Sequence, residues 1–118
     1  MLFPILATRD LGGLLGFYRD LLGFSVTYEF PGPDGEPGYV GLELGRSHLG
    51  IGHDPELTDG PSARISLWLY VESCDATVDR LRAAGVTIVE EPADQPWGER
   101  VARVLDPDGN LVIIGQGV

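Results

Sequence analysis

The chain has 118 residues, 43% of them hydrophobic, which is enough for one domain with a sizeable core. It carries 18 acidic residues against 8 basic ones, all arginine, for a net charge of −10. That balance argues against a nucleic-acid binder, which needs basic side chains to displace counterions from phosphates, and an anionic membrane repels it as well.

Phe3 to Thr8 reads as a strand, with Pro4 at a position that needs no ladder N–H. Asp10 can cap a helix running to about Leu22, in which Leu14, Phe17, Tyr18 and Leu21 form one buried stripe. Gly12, Gly13 and Gly16 weaken that helix, so packing must hold it, and Gly23 ends it as a left-handed cap. Phe24, Val26, Tyr28 and Phe30 then alternate with Ser25, Thr27 and Glu29, the pattern of a strand with one buried face. Pro31 to Pro37 is a turn or hairpin loop. Tyr39–Leu44 and Ser47–Gly52 are two further strands, and Asp54–Ser62 is a linker.

The pattern then returns. Arg64–Val71 is a strand with Ile65, Leu67, Leu69 and Val71 on a helix-covered face and Ser66, Trp68 and Tyr70 on the other. Ser73 or Asp75 caps a helix that ends at Ala84, with Arg80 and Arg82 favourably placed in its last turns and Gly85 as its stop. Val86–Glu91 is a strand, Pro92–Glu99 a loop, and Val101–Leu105 and Leu111–Ile114 the last two strands, joined by the turn Asp106-Pro107-Asp108-Gly109. Gly23-Phe24-Ser25-Val26-Thr27 thus recurs as Gly85-Val86-Thr87-Ile88-Val89. The expected architecture is a single domain, 1–118, of two similar modules, about 1–57 and 62–118, with a cavity between them.

No apolar run reaches the roughly 18–20 residues that span a membrane. The start, Met1-Leu2-Phe3-Pro4, lacks the features of a signal peptide, so a cytoplasmic location is the expectation. Cys74 is expected to be a small buried hydrophobe rather than a nucleophile, since no activating base lies beside it in sequence. His48 and His53 are the only histidines, and with Glu43 they form no compact metal motif.

Two features point to a ligand. Trp68 and Tyr70 beside Ser66 form an amphipathic wall, suited either to a planar ligand or to packing on the other sheet or a dimer partner. Trp97 sits in a loop between Pro96 and Gly98, where a large indole either contacts a ligand or packs structurally. Glu99 either balances a cation on the ligand or pairs with Arg100. The acidity itself serves solubility or steers a cation into a cleft.

Asp10-Leu11 with Phe17-Tyr18-Arg19-Asp20-Leu21-Leu22-Gly23-Phe24, the helix ending Leu81-Arg82-Ala83-Ala84-Gly85, and Asp106-Pro107-Asp108-Gly109-Asn110-Leu111 resemble the signatures of the glyoxalase/bleomycin-resistance/extradiol-dioxygenase (vicinal oxygen chelate) superfamily. The resemblance implies an α+β fold of paired βαβββ modules forming a curved mixed sheet around a cleft. Metal-dependent members carry a ligand on each of four strands. Three of those positions fall here on Phe3, Ser66 and Ile113, and the fourth on Glu43 or His48, so the resemblance implies no metal and no cofactor.

Pro4, Trp68, Tyr70 and Pro96-Trp97-Gly98 are most similar to the bleomycin-resistance proteins, small acidic dimers that exchange their first strand and sequester cationic glycopeptides unmodified. The resemblance implies Phe30, Tyr39, Ser47, Gly52, Trp68 and Trp97 as ligand-binding residues; Ser66 and Glu99 join them from the amphipathic wall and the loop of Trp97, and no catalytic residue is expected. The implied function is sequestration of a cationic, partly planar small molecule by a homodimer, favouring a binding protein over an enzyme. Two alternatives stay open: a metal-dependent lyase, isomerase or dioxygenase, and a metal-free binder or enzyme for another metabolite.

Overall fold

The computed structural model describes residues 3–58, 60 and 65–117. The chain divides into two compact units, Met1–Asp59 and Gly60–Val118. Unit one runs β1 (Ile5–Thr8), α1 (Leu11–Leu15), a π-helical stretch (Gly16–Leu21), β2 (Ser25–Pro31), β3 (Pro37–Leu44) and β4 (Ser47–His53). Unit two runs β5 (Leu67–Tyr70), α2 (Cys74–Ala83), β6 (Ile88–Asp94), β7 (Arg100–Leu105) and β8 (Leu111–Gln116). Each unit holds one four-stranded mixed sheet, ordered β1-β4-β3-β2 and β5-β8-β7-β6. In each, the first strand pairs parallel with the last and the remaining pairs are antiparallel. The fold is therefore α+β, with a βαβββ unit built twice. No helix among the described residues is long and apolar enough to cross a membrane.

Helix boundaries follow from the caps. Asp10 Oδ1 accepts the Gly13 N–H at 2.9 Å, and Ser73, rather than Asp75, caps α2 by accepting the Ala76 N–H at 3.2 Å. At the end of α2, Val86 N donates to Leu81 O and Gly85 N to Arg82 O, both at 3.0 Å, with Gly85 at φ +86°. That is a Schellman closure, and it needs a residue that tolerates positive φ.

Unit one departs from the uniform helix expected over 11–22. The corresponding closure is one residue wider, Phe24 N to Tyr18 O at 3.0 Å, and Leu22 N reaches Phe17 O across a π turn. In an i→i+5 turn neighbouring side chains are separated by only about 80°. Consecutive Phe17 and Tyr18, each 2% exposed, can both point into the core, where their rings meet edge-on at 4.9 Å. A stripe of spacing i, i+3, i+4, i+7 does not distinguish this turn from an α-helical one.

The strand expected over Phe24–Phe30 differs more. Only Phe24 is buried, against Tyr18. A bulge between Val26 and Tyr28 places Val26 opposite Leu42 and Tyr28 opposite Gly41. The extra residue shifts the alternation, so Tyr28 and Phe30 leave the core face and are 55% and 58% exposed. Of the strand expected over Arg64–Val71, Arg64 lies outside the described residues. Ile65, expected on the core face, precedes β5 and is exposed.

The last hairpin is organised by Asp106, which is 4% exposed. Its carboxylate accepts the N–H groups of Asp108 and Asn110 and the Asn110 side-chain amide, each at 2.9 Å. Asp106→Asn keeps the shape but replaces an anionic acceptor with a neutral one. A loss of about 1–2 kcal/mol is expected in urea denaturation; an unchanged midpoint would contradict this role.

Candidate functional site

In unit two, α2 packs on β6, β7 and β8 and covers the face bearing Val104, Val112 and Ile114. Alternation and register place Trp68, Tyr70, Val101, Arg103, Ile113 and Gly115 on the opposite, open face. Trp68 and Tyr70 lie two residues apart on β5, with ring centroids 5.9 Å apart. The Trp68 indole lies across Gly115, where an added Cβ would fall 2.7 Å from Nε1. Glycine on β8 is thus what lets the indole approach the sheet this closely.

The loop over 95–99 closes through Gln95 N to Glu99 O at 2.8 Å and Gly98 N to Gln95 O at 2.9 Å, with Gly98 at φ +102°. Within it, Trp97 Nε1 donates to Glu99 Oε1 at 2.6 Å. The same carboxylate acts on the Tyr70 hydroxyl. Hydrogen bonding to Glu99, then burial, holds the phenol above its ordinary pKa. Trp68, Tyr70 and Trp97 are 42%, 59% and 56% exposed. Two exposed rings, Tyr70 and Trp97, meet at one carboxylate, and Trp68 neighbours Tyr70, a surface suited to a planar, cationic partner. Arg100 does not compete for Glu99, because its guanidinium bonds Asp75 and Asp94. Arg103 bonds Glu90 at 2.7 Å.

In unit one the open face holds Ile5, Tyr28, Phe30, Tyr39, Gly50 and Gly52. Phe30 and Gly52 both pair with Tyr39 in register, and the Tyr28 and Tyr39 rings are 6.3 Å apart. Ser47 does not join them. It opens β4 opposite Leu44 and alternates onto the side of Leu49 and Ile51, which face the core. Ser66 is exposed just ahead of β5.

The structure thus brings Phe30, Tyr39 and Gly52 together in one unit, and Trp68, Trp97 and Glu99 in the other. Tyr70 and Tyr28 were absent from the expected set. Tyr70 was legible from its alternation with Trp68; Tyr28 was hidden by the bulge.

Register gives the Ile113 position implied by the resemblance a counterpart in unit one. Ile5↔Gly50 in unit one corresponds to Trp68↔Ile113 in unit two, each at the same spacing before its helix cap. By that register the counterpart of Ile113 is Gly50, whereas Glu43 and His48 lie elsewhere on β3 and β4. A side chain at Gly50 would collide with the Tyr39 hydroxyl, whose ring fills that space. Glu43 and His48 do meet, as direct cross-strand partners. Phe3, Gly50 and Ile113 carry no side-chain donor atom and Ser66 carries one neutral hydroxyl, a set that does not fit a divalent ion. Among the described residues no group of three or more His, Cys, Asp or Glu side chains gathers at ligand spacing.

Cys74 is fully buried, with its N–H on Gln116 Oε1 at 2.8 Å and its Sγ 3.5 Å from the Ile114 carbonyl. Burial, then the nearby Asp75 charge, pushes the thiol up. Ellman's reagent is accordingly expected to label it only in denaturant; rapid labelling of the folded chain would contradict this.

Residues 2–114 match the family model described as the Glyoxalase/Bleomycin resistance protein/Dioxygenase superfamily. The chain belongs to this superfamily. As a superfamily member it is 29% identical to an uncharacterised protein of Mycobacterium bovis, over 99% of this chain and 83% of that one. It is 28% identical to the bleomycin resistance protein of Geobacillus stearothermophilus, over 98% of this chain and 95% of that protein. The crystal structure of TioX from Micromonospora sp. ML1 shares the fold, with a TM-score of 0.78 at 22% identity, covering 100% of this chain and 99% of that one.

Proposed function

We propose that this superfamily member binds and sequesters a cationic, partly planar small molecule, of the bleomycin type, without reacting with it. The observation that carries the reading is the exposed Trp68 and Tyr70 pair on the open face, next to the Glu99 carboxylate that Trp97 and Tyr70 share. Rings supply stacking surface, Glu99 supplies a counter-charge, and the net charge of −10 steers a cation toward it. The donor-poor set at Phe3, Gly50, Ser66 and Ile113 supports binding over metal-assisted chemistry. The similarity to a bleomycin resistance protein points to the same ligand class. In this reading the binding form is a cytoplasmic homodimer, and Phe30, Tyr39 and Gly52 also contact the ligand.

Titration with bleomycin is expected to quench tryptophan fluorescence saturably. The affinity should fall as salt rises, because the attraction is partly electrostatic. No response across a panel of cationic glycopeptides at micromolar concentration would remove this ligand class, and sedimentation as a monomer would remove the dimer.

A further inference from the structure

Arg100 opens β7 and pairs in register with Asp94, the last residue of β6, so the two close the stem of the loop that carries Trp97 and Glu99. Its guanidinium makes three bonds to two elements. Nη1 donates to Asp94 Oδ1 at 3.0 Å, while Nε and Nη2 grip the Asp75 carboxylate at 3.0 and 3.1 Å. Asp75 stands in the first turn of α2, a helix held by fully buried Val78 and Leu81. The stem is therefore fastened across its own strands and, through a bidentate fork, to a packed helix. The planar fork matches a carboxylate in a way that a lysine ammonium does not.

We infer that Arg100 is a positioning residue: by tying the stem of the 95–99 loop to Asp75 on α2 it holds Trp97 and Glu99 in the pose that receives the ligand, while touching no ligand itself. The importance of that pose for binding rests on the proposed function; the fastening of the loop does not. Exposed ion pairs add little to global stability, so their effect should appear in loop order and affinity before it appears in the fold.

The test separates the two. In a Trp68→Phe background Trp97 is the sole tryptophan, and acrylamide quenching without ligand reports the loop. Arg100→Gln and Asp75→Asn are each expected to raise quenching about twofold with unchanged far-UV circular dichroism. About 1 M sodium chloride should do the same to the parent but not to Arg100→Gln. Arg100→Lys should restore only part of the protection. With bleomycin as probe and Trp68 retained, each variant should bind about threefold to tenfold more weakly. The Arg100→Gln/Asp75→Asn pair should lose about as much as Arg100→Gln alone, because that variant already lacks the Asp75 bonds.

Unchanged quenching in Arg100→Gln, or fully additive losses in the pair, would overturn the inference. If the parent binds no bleomycin, the proposed function fails while the quenching arm still decides the fastening. If Arg100→Gln does not fold, Asp75→Asn carries the same comparison.

Discussion

Tyr18→Ala is expected to lower stability by about 3–5 kcal/mol, the range for deleting a buried aromatic ring. Tyr18 is 2% exposed and meets Phe17 and Phe24 edge-on, at 4.9 and 6.0 Å. Its removal leaves a cavity and two rings without a partner. Because the π turn carries Phe17 and Tyr18 side by side, the wall cannot close without rewinding the helix. A net stability of about 5–15 kcal/mol makes this a large fraction of the whole. Tyr18→Phe retains the ring and should lose far less. Urea denaturation followed by circular dichroism checks both, and a Tyr18→Ala loss below about 1.5 kcal/mol would show that the core can collapse around the gap.

Trp68→Ala is expected to weaken bleomycin binding by about 2 kcal/mol, roughly thirtyfold, the level at which a buried aromatic anchor dominates an interface. The indole lies over Gly115, beside Tyr70, on the open face. Its loss removes stacking surface and leaves a groove at Gly115. Trp68 is 42% exposed, so the fold should be little affected, and calorimetric affinity and thermal midpoint should separate. Trp68→Phe, which keeps a smaller ring, should recover part of the affinity. If Trp68→Ala binds bleomycin as well as the parent, the open face of unit two is not the ligand surface.

Both expectations rest on features of differing legibility. The repeat, the caps at Asp10, Gly23 and Gly85, and the 106–109 turn are written in local residue chemistry, because a cap or a positive φ needs particular residue types within a few positions. Trp68 beside Tyr70 on one face follows from alternation alone. The family signatures were equally local, and the match over residues 2–114 agrees with them.

What only the tertiary structure decided depends on partners distant in sequence. The bulge after Val26 arises in pairing with β3, and it turned Tyr28 and Phe30 outward where alternation put them inward. Glu99 had two available roles in the sequence. The structure gives it to Trp97 and Tyr70 because Arg100 finds Asp75, twenty-five positions away, as a better-matched fork. Gly50 as the counterpart of Ile113 appeared only with the parallel registers of β1 and β5. Local periodicity determined which elements form and which residues share a face. Register, bulges and the choice among competing charged partners were decided by strands and helices that meet only in the folded chain.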